Sequence, residues 1–399
     1  MVFAHMADLH IGGWPDERMT KLGLDSFKKA VSICIEKNVE FILFSGDLFN
    51  TALPQIDYIK EVAAQLKLLK DNNIKVYSIA GSHDYSPSGK TMLEVFEKAG
   101  LLVSVTKFDK NGNLTFTDIN GSLKVTGMYG KKGGLEKTDY SKLDLSLLDS
   151  EPGKKIFMFH TAITELNPAG LESMDSQPLS SLPRSFNYYA GGHVHYIFQK
   201  EHGNGILTFP GALFPNNFKE LEEYKHGGFY IVDDNFKPEY VPIKLKDVIC
   251  LNFNADNKSS SLLMDEIIDK LSSFDITDKI ILLRVEGKLS SGKPSDIKFN
   301  RIIKSFSNAY YIAKNISNLK SSKFEEIEVK QGTVKEVEES IVLDYNPSLS
   351  IPDLDFKDLS LKLMQFLDKE TIEGEKKSDF EKRLFSEVKE ILKLNEIFS

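Results

Sequence analysis

Thiols are nearly missing from this chain, which has two cysteines, Cys34 and Cys250, in 399 residues. A disulfide-stapled secreted scaffold is thereby excluded, and both thiols are expected as core fillers in a reducing, intracellular setting. No run approaches the roughly 18 apolar residues of a membrane span. The first ten residues, MVFAHMADLH, lack a basic segment and carry an Asp, so they are not expected to act as a secretion signal. Excess positive charge is absent too. The formal net charge is −8, which argues against a surface that binds polyanions all over but leaves room for a local basic groove. Histidine is missing from one whole region, since none of the eight follows position 226. Chemistry that uses imidazole near neutral pH must therefore lie in the first part of the chain.

What is present there alternates in period. Val2–Ala7, Phe41–Phe44 and Ile74–Ala80 read as strands, whereas Arg18–Asn38, Gln55–Asn72 and Met92–Ala99 carry apolar residues at helical spacing. This β-α-β-α-β order implies parallel strands joined by crossover helices. From about Leu101 the strands shorten, with a turn at Asn111-Gly112 and strands at Lys155–Phe159, Tyr188–Ala190, Ile197–Lys200, Ile206–Phe209 and Gly228–Val232. The expected fold is α/β, a sandwich of two sheets flanked by helices over residues 1–238. A small α/β module is expected over residues 240–334, from strands at Val248–Phe253, Lys279–Val285 and Ala309–Ala313 with helices between them. Residues 346–399 differ again, with two apolar stripes: Leu361, Met364 and Leu367, then Phe380, Leu384, Val388, Ile391 and Leu392. Two short amphipathic helices with little chain around them either dock on the rest of the protein or bind another; binding a partner is the preferred expectation.

Five short motifs each follow a strand: Asp8-Leu9-His10, Gly46-Asp47-Leu48-Phe49-Asn50, Gly81-Ser82-His83-Asp84, His160, and Gly191-Gly192-His193-Val194-His195. Loops beyond the carboxyl ends of parallel strands converge, so residues distant in sequence can share one site. Mixed carboxylate and imidazole donors with few thiols suit manganese, iron or zinc, and not a structural zinc site. Asp8 with His10, and His193 with His195, are spaced to face one way. The glycines before Asp47 and His193, and two before His83, are expected to supply unusual dihedrals. Asp47 is the candidate bridge between two metals that would clamp a phosphodiester and activate water. His83, oriented by Asp84, is the candidate proton donor to the leaving oxygen. Any one of these histidines alone would more readily be a structural residue; the ordered set of five motifs is what points to a site. His5 is expected in the core or behind the site, and His202 and His226 in loops. Trp14 and Arg18 either line the groove or pack.

These motifs resemble those of the calcineurin-like metallophosphoesterases. The phrases ADLHIGG, FSGDLFN, GSHDYSPSG and GGHVH are similar, more narrowly, to the archaeal members of the Mre-eleven/SbcD-type double-strand-break nucleases. The resemblance implies one metal on Asp8, His10, Asp47 and His195, and a second on Asp47, Ser82, His160 and His193. It implies two manganese ions, with His83 as the transition-state and leaving-group histidine. The activity it implies is 3′-to-5′ exonuclease on duplex DNA and endonuclease on single strands. Implied partners are DNA, a coiled-coil ABC-type ATPase bound by residues 346–399, and a second copy of the chain joined through Gln55–Asn72 and Met92–Ala99. Cytoplasm or nucleoid would be the location, with no membrane. Ser82 departs from the family's usual Asn; a hydroxyl reaches less far than an amide oxygen and would ligate directly or through a water. The rival readings are another phosphoesterase of the same superfamily acting away from DNA, and a catalytically weak scaffold for the ATPase. A protein phosphatase of this type would place an Arg after Gly-Asp, where this chain has Leu48-Phe49-Asn50. Lys90, Lys131, Lys132 and Arg184 are the candidate contacts to the substrate's phosphates.

Overall fold

A computed structural model describes residues 1–86, 88–167, 175–321, 356–367, 369, 375 and 377–391. One compact unit comprises Met1–Ser321 and another Ser322–Ser399. The first unit opens with β1 (Phe3–Met6), α1 (Glu17–Glu36), β2 (Phe41–Ser45), α2 (Ile56–Asp71), β3 (Lys75–Ile79), α3 (Met92–Lys98) and β4 (Val103–Ser104). β1 to β4 run parallel in that order, as β-α-β periodicity requires. Asp16 caps α1 by accepting the Arg18 amide, and Thr91 with Glu94 forms a capping box on α3.

The chain then crosses to β5 (Thr117–Asp118), β6 (Leu123–Met128), α4 (Lys137–Tyr140), α5 (Leu145–Ser150), β7 (Lys154–His160) and the short pair β8 (Ala162–Ile163) and β9 (Ser176–Gln177). β10 (Tyr188–Gly192), β11 (Phe198–His202), β12 (Gly205–Phe209) and α6 (Phe218–Tyr224) follow, then β13 (Gly227–Val232) and β14 (Pro238–Ile243). The sheets are β14-β13-β1-β2-β3-β4 and β11-β12-β10-β7-β6-β5, six strands each. Phe3, Phe41, Tyr77, Val125, Ile156 and Tyr188 pack between them, while α1 and α2 cover the outer face of the first sheet through Phe27, Val31, Val62 and Leu66. This is the two-sheet metallophosphoesterase sandwich expected from the motifs. Residues 240–243, expected in the next module, are instead the edge of the first sheet, Tyr240 lying opposite Tyr230.

A separate sheet follows, from β15 (Val248–Asn254), α7 (Ser260–Ser272), β16 (Ile280–Leu289), α8 (Phe299–Ser305), β17 (Tyr311–Asn315) and β18 (Leu319–Ser321). β16 is central, and Leu263, Ile267, Ile281, Leu283, Val285 and Ile302 form its core. The end expected at residue 334 lies outside the described residues. Trp14 and Arg18 join this sheet to the sandwich rather than lining an open groove. Trp14 donates to the Pro215 carbonyl at 2.8 Å with its ring edge-on to Tyr311 of β17, and Arg18 donates to the Tyr310 carbonyl at 2.9 Å with its guanidinium over the Tyr311 ring.

In the second unit, helices Phe356–Leu367 and Lys377–Ile391 are described. Residues 346–355 and 392–399, which the sequence assigned to the same region, lie outside the described residues. Among the described residues no helix is long and apolar enough to cross a membrane.

Candidate metal centre

All five motifs sit just past strand ends that point the same way. Asp8 and His10 follow β1, Asp47 follows β2, Ser82, His83 and Asp84 follow β3, His160 ends β7, and His193 and His195 follow β10. Adjacent loops are laced together by their backbones: the Asp8 amide donates to the Gly46 carbonyl at 3.1 Å, and the His10 amide to the Asp47 carbonyl at 3.0 Å. Asp8, His10, Asp47 and His193 all have positive φ, of 51°, 40°, 53° and 86°. Four non-glycine residues in the left-handed region, all at one site, mark strain held by the surrounding fold.

The glycines do something other than expected. Only Gly46 has a left-handed φ, of 90°. Gly81 and Gly192 are required for space: a Cβ on Gly81 would collide with the Asp47 carboxylate, and one on Gly192 with the Ser45 carbonyl.

Side chains then meet at a carboxylate. Asp47 Oδ2 lies 3.2 Å from His160 Nε2, 3.4 Å from Ser82 Oγ and 3.6 Å from His10 Nε2. Asp47 Oδ1 accepts the His83 backbone amide at 2.7 Å. His10 Nε2 and His195 Nε2 face each other at 3.2 Å, and His195 Nε2 is 4.0 Å from Asp8 Oδ1. Asp8 accepts the His193 amide at 3.0 and 3.1 Å. The His193 ring lies edge-on to His160 at 5.2 Å, and the His83 ring edge-on to His10 at 4.8 Å.

Three of these rings have their tautomer set by a group that can only accept. His160 Nδ1 is 2.7 Å from the Ser45 carbonyl, His83 Nδ1 is 2.7 Å from the Asn50 carbonyl, and His195 Nδ1 is 2.9 Å from Glu220 Oε1. Each Nδ1 therefore carries a hydrogen, and each neutral ring turns an Nε2 lone pair outward from that anchor. Glu220 and Asn50 are the functional residues sequence reasoning missed. Glu220 had a readable signal: Asn217-Phe218-Lys219-Glu220 has the spacing of a helix N-cap and its partner. A backbone carbonyl such as that of Asn50 leaves no signal in composition.

Asp84 does not take the role expected of it. Its Oδ2 accepts the Asp47 and Gly81 amides at 2.9 and 2.8 Å, so it braces the loops while the Asn50 carbonyl orients His83. His5 lies between the sheets, with Nδ1 3.1 Å from Tyr188 Oη and Nε2 3.0 Å from Ser45 Oγ. His202, expected in a loop, is buried and donates Nε2–H to the Pro183 carbonyl at 3.0 Å. Cys250 is half-buried, its Sγ 2.7 Å from Lys225 Nζ, whereas Cys34 is a core filler as expected.

The electrostatics are those of carboxylates and imidazoles buried against one another. Burial pushes the Asp8 carboxyl up to about 7. Asp84 rises to about 7 through burial and the neighbouring Asp47 charge. Burial lowers His10 to about 3 and His193 to about 4. Burial would lower His160 as well, but the Asp47 carboxylate overrides it and raises the ring to about 10. Asp47 goes the other way: burial opposes its charge, yet His160 and His10 hold it well below the usual carboxylate range.

The donor set fits metal ions. His10 Nδ1 and His160 Nε2 are buried without hydrogen-bond partners among the described residues. Two ligands each about 2.1 Å from one ion stand about 3.0–3.4 Å apart, which is the spacing of His10 Nε2 from His195 Nε2 and of His160 Nε2 from Asp47 Oδ2. Asp8, His10 and His195 form one group that could hold an ion, and Asp8, Asp47 and His160 another.

Of the expected phosphate contacts, Lys90 and Lys132 are exposed, Lys90 in the loop between β3 and α3 and Lys132 just past β6. Lys131 is engaged elsewhere, with Nζ 2.7 Å from Asp139 Oδ2 and over the Tyr129 ring. Arg184 lies before β10, at the opposite end from His193, and its backbone binds Asp149 and Asn204. A five-residue strand spans about 13 Å, so Arg184 sits at the far end of β10 from the metal centre.

Comparison with known proteins agrees with the geometry. Residues 1–197 match the model of the calcineurin-like phosphoesterase family. A DNA double-strand break repair protein Mre11 of Methanococcus maripaludis is 32% identical over 272 residues, covering 65% of this chain and 70% of the relative. The chain belongs to the Mre11 family. The Mre11 of Methanocaldococcus jannaschii is 30% identical over 68% of this chain and 73% of its own length, and that of Sulfolobus acidocaldarius 26% identical over 90% and 93%. As an Mre11-type member of the calcineurin-like fold, the protein is a metal-dependent phosphodiesterase of the nuclease kind, with a dimetal site.

Proposed function

We propose that this protein is a manganese-dependent DNA nuclease of double-strand-break repair, a 3′-to-5′ exonuclease on duplex DNA and an endonuclease on single strands. The observation that carries the reading is the position of Asp47 Oδ2, within 3.6 Å of His160 Nε2, Ser82 Oγ and His10 Nε2 together. In this reading Asp8, His10 and His195 would hold one ion and Ser82, His160 and His193 a second, with the Asp47 carboxylate placed between the two sets. Carboxylate, imidazole and hydroxyl donors without thiolate suit manganese, iron or zinc, and the resemblance to the Mre11 nucleases favours manganese among them. A metal pair bound here would polarise the phosphate and bring the pKa of a water toward neutrality.

The chain's own residues supply the rest. The strained loops hold four of the seven donors in place before any ion arrives, which reduces the reorganisation that binding requires. His83 keeps a hydrogen on Nδ1 through the Asn50 carbonyl, so its Nε2 is the atom that would take up a proton and pass it to the departing sugar oxygen. Asp84 holds the second and third loops together through two amides.

Lys90 and Lys132 are proposed as phosphate contacts. The partner region is proposed as residues 346–399, for a coiled-coil ABC-type ATPase, on the strength of the two amphipathic helices within it. A homodimer is proposed through α2 and α3, where Leu53, Ile56 and Val95 are 79%, 80% and 56% exposed. A DNA substrate puts the protein inside the cell. Asp47→Asn is the direct test: it should abolish manganese-supported cleavage of linear duplex DNA while the chain stays folded, and retained cleavage would refute the bridging role.

A further inference from the structure

We infer that Glu220 is a positioning residue for the metal centre, acting through His195. The inference rests on the reading of His195 as a ligand. Glu220 Oε1 stands 2.9 Å from His195 Nδ1. A carboxylate only accepts, so the ring keeps its hydrogen on Nδ1 and turns Nε2 inward, 3.2 Å from His10 Nε2 and 4.0 Å from Asp8 Oδ1. Without that anchor, a ring on a loop just past β10 is free to rotate or to change tautomer, and either event removes the Nε2 lone pair from the site.

Glu220 is itself held in place. Its Oε2 accepts the Asn216 amide at 2.8 Å and its Oε1 the Asn217 side-chain amide, while Asn217 Oδ1 caps α6 by accepting the Glu220 amide at 2.9 Å. Helix α6 is seated by the fully buried Leu221 among Met19, Leu22 and Phe214. Two residues further along, Glu222 receives the Arg284 guanidinium of β16, with Nε at 2.8 Å. One short helix therefore touches the metal centre with Glu220 and the third sheet with Glu222. The sheet that α6 rests on helps fix the carboxylate that fixes His195.

Outer partners of this kind set metal affinity by about 10- to 100-fold. The test is manganese titration of the full, chelator-stripped chain by calorimetry, comparing wild type with Glu220→Ala, Glu220→Gln, Leu221→Val and His195→Ala. Glu220→Ala should weaken one of two sites about 10- to 100-fold. Glu220→Gln, which still accepts the hydrogen bond but carries no charge, should fall between it and wild type. Leu221→Val loosens the same helix without touching the carboxylate and should weaken the site less than Glu220→Ala does. If His195→Ala weakens a site and Glu220→Ala does not, Glu220 has no positioning role although His195 is a ligand. If His195→Ala also binds manganese like wild type, the ligand reading fails and takes this inference with it. If Leu221→Val weakens the site as much as Glu220→Ala, the effect is the seating of the helix and the inference is overturned.

Discussion

The Nδ1 atom of His83 lies 2.7 Å from the Asn50 carbonyl oxygen, which can only accept. The hydrogen on His83 is thereby fixed on Nδ1, and Nε2 is left for the substrate. His83→Ala should keep manganese affinity and DNA binding while turnover falls by about 10²- to 10⁴-fold, the usual contribution of a positioned acid. Steady-state cleavage assays beside binding titrations read both quantities. Turnover unchanged in His83→Ala would show that another group protonates the leaving oxygen.

Ser82 bears on metal affinity. Its hydroxyl is 3.4 Å from Asp47 Oδ2, and an amide at this position reaches further and offers a stronger acceptor. Ser82→Asn should tighten the weaker manganese site by about tenfold or more, read by calorimetry on the chelator-stripped chain. Affinity that stays the same or falls would mean that residue 82 does not ligate.

Acid should unfold the metal-free protein partly through His5. Burial lowers this ring to about 3, so the fold keeps it neutral while the unfolded chain takes up a proton near pH 6.5. Its contribution is fully present above that pH and is lost as pH falls from about 6.5 to about 3, by up to ~1.4 kcal/mol per unit. Asp8 and Asp84, raised to about 7, act with the opposite sign: their contribution is lost as pH rises from about 4 to 7. Both groups remain in a His5→Gln variant. In chelator, urea denaturation at pH 6.5 and pH 4.5 should therefore show a smaller stability loss in His5→Gln than in wild type. Equal losses would mean that His5 does not titrate on unfolding.

How much of this was legible in the sequence follows from what each residue uses to act. The side chains of Asp8, His10, Asp47, Ser82, His83, His160, His193 and His195 are brought together because each follows a strand, and strand polarity can be read from β-α-β periodicity. The same rule places Arg184, which precedes its strand, at the end of β10 away from the metal centre. Asp84 was misread because adjacency in sequence is not contact: its carboxylate turns to the Asp47 and Gly81 amides, away from the His83 ring. The anchors of His83 and His160 are backbone carbonyls, which every residue has, so no residue type announces them. Strand β6 escaped notice because Leu123-Lys124-Val125-Thr126 alternates over only four residues before Gly127 interrupts the run.

The two proposed assembly surfaces separate cleanly. Deleting residues from 346 onward should abolish binding of the ATPase partner in a pull-down with purified components, while cleavage by the isolated chain persists. Partner binding that survives the deletion would move the contact to residues 1–345.

On the other surface, Ile56→Asp or Val95→Asp should halve the mass measured by analytical ultracentrifugation, since each places a charge in the apolar patch. A variant that sediments like wild type would remove α2 and α3 from the dimer contact.

The central claim is tested most directly by product release from a linear DNA duplex incubated with the purified protein in manganese, in magnesium and in chelator. The account predicts mononucleotides with manganese and none in chelator, which would show that the donors around Asp47 hold a working metal pair with Ser82 in place. DNA bound but uncut in every condition would contradict it and leave the chain a scaffold for its partner.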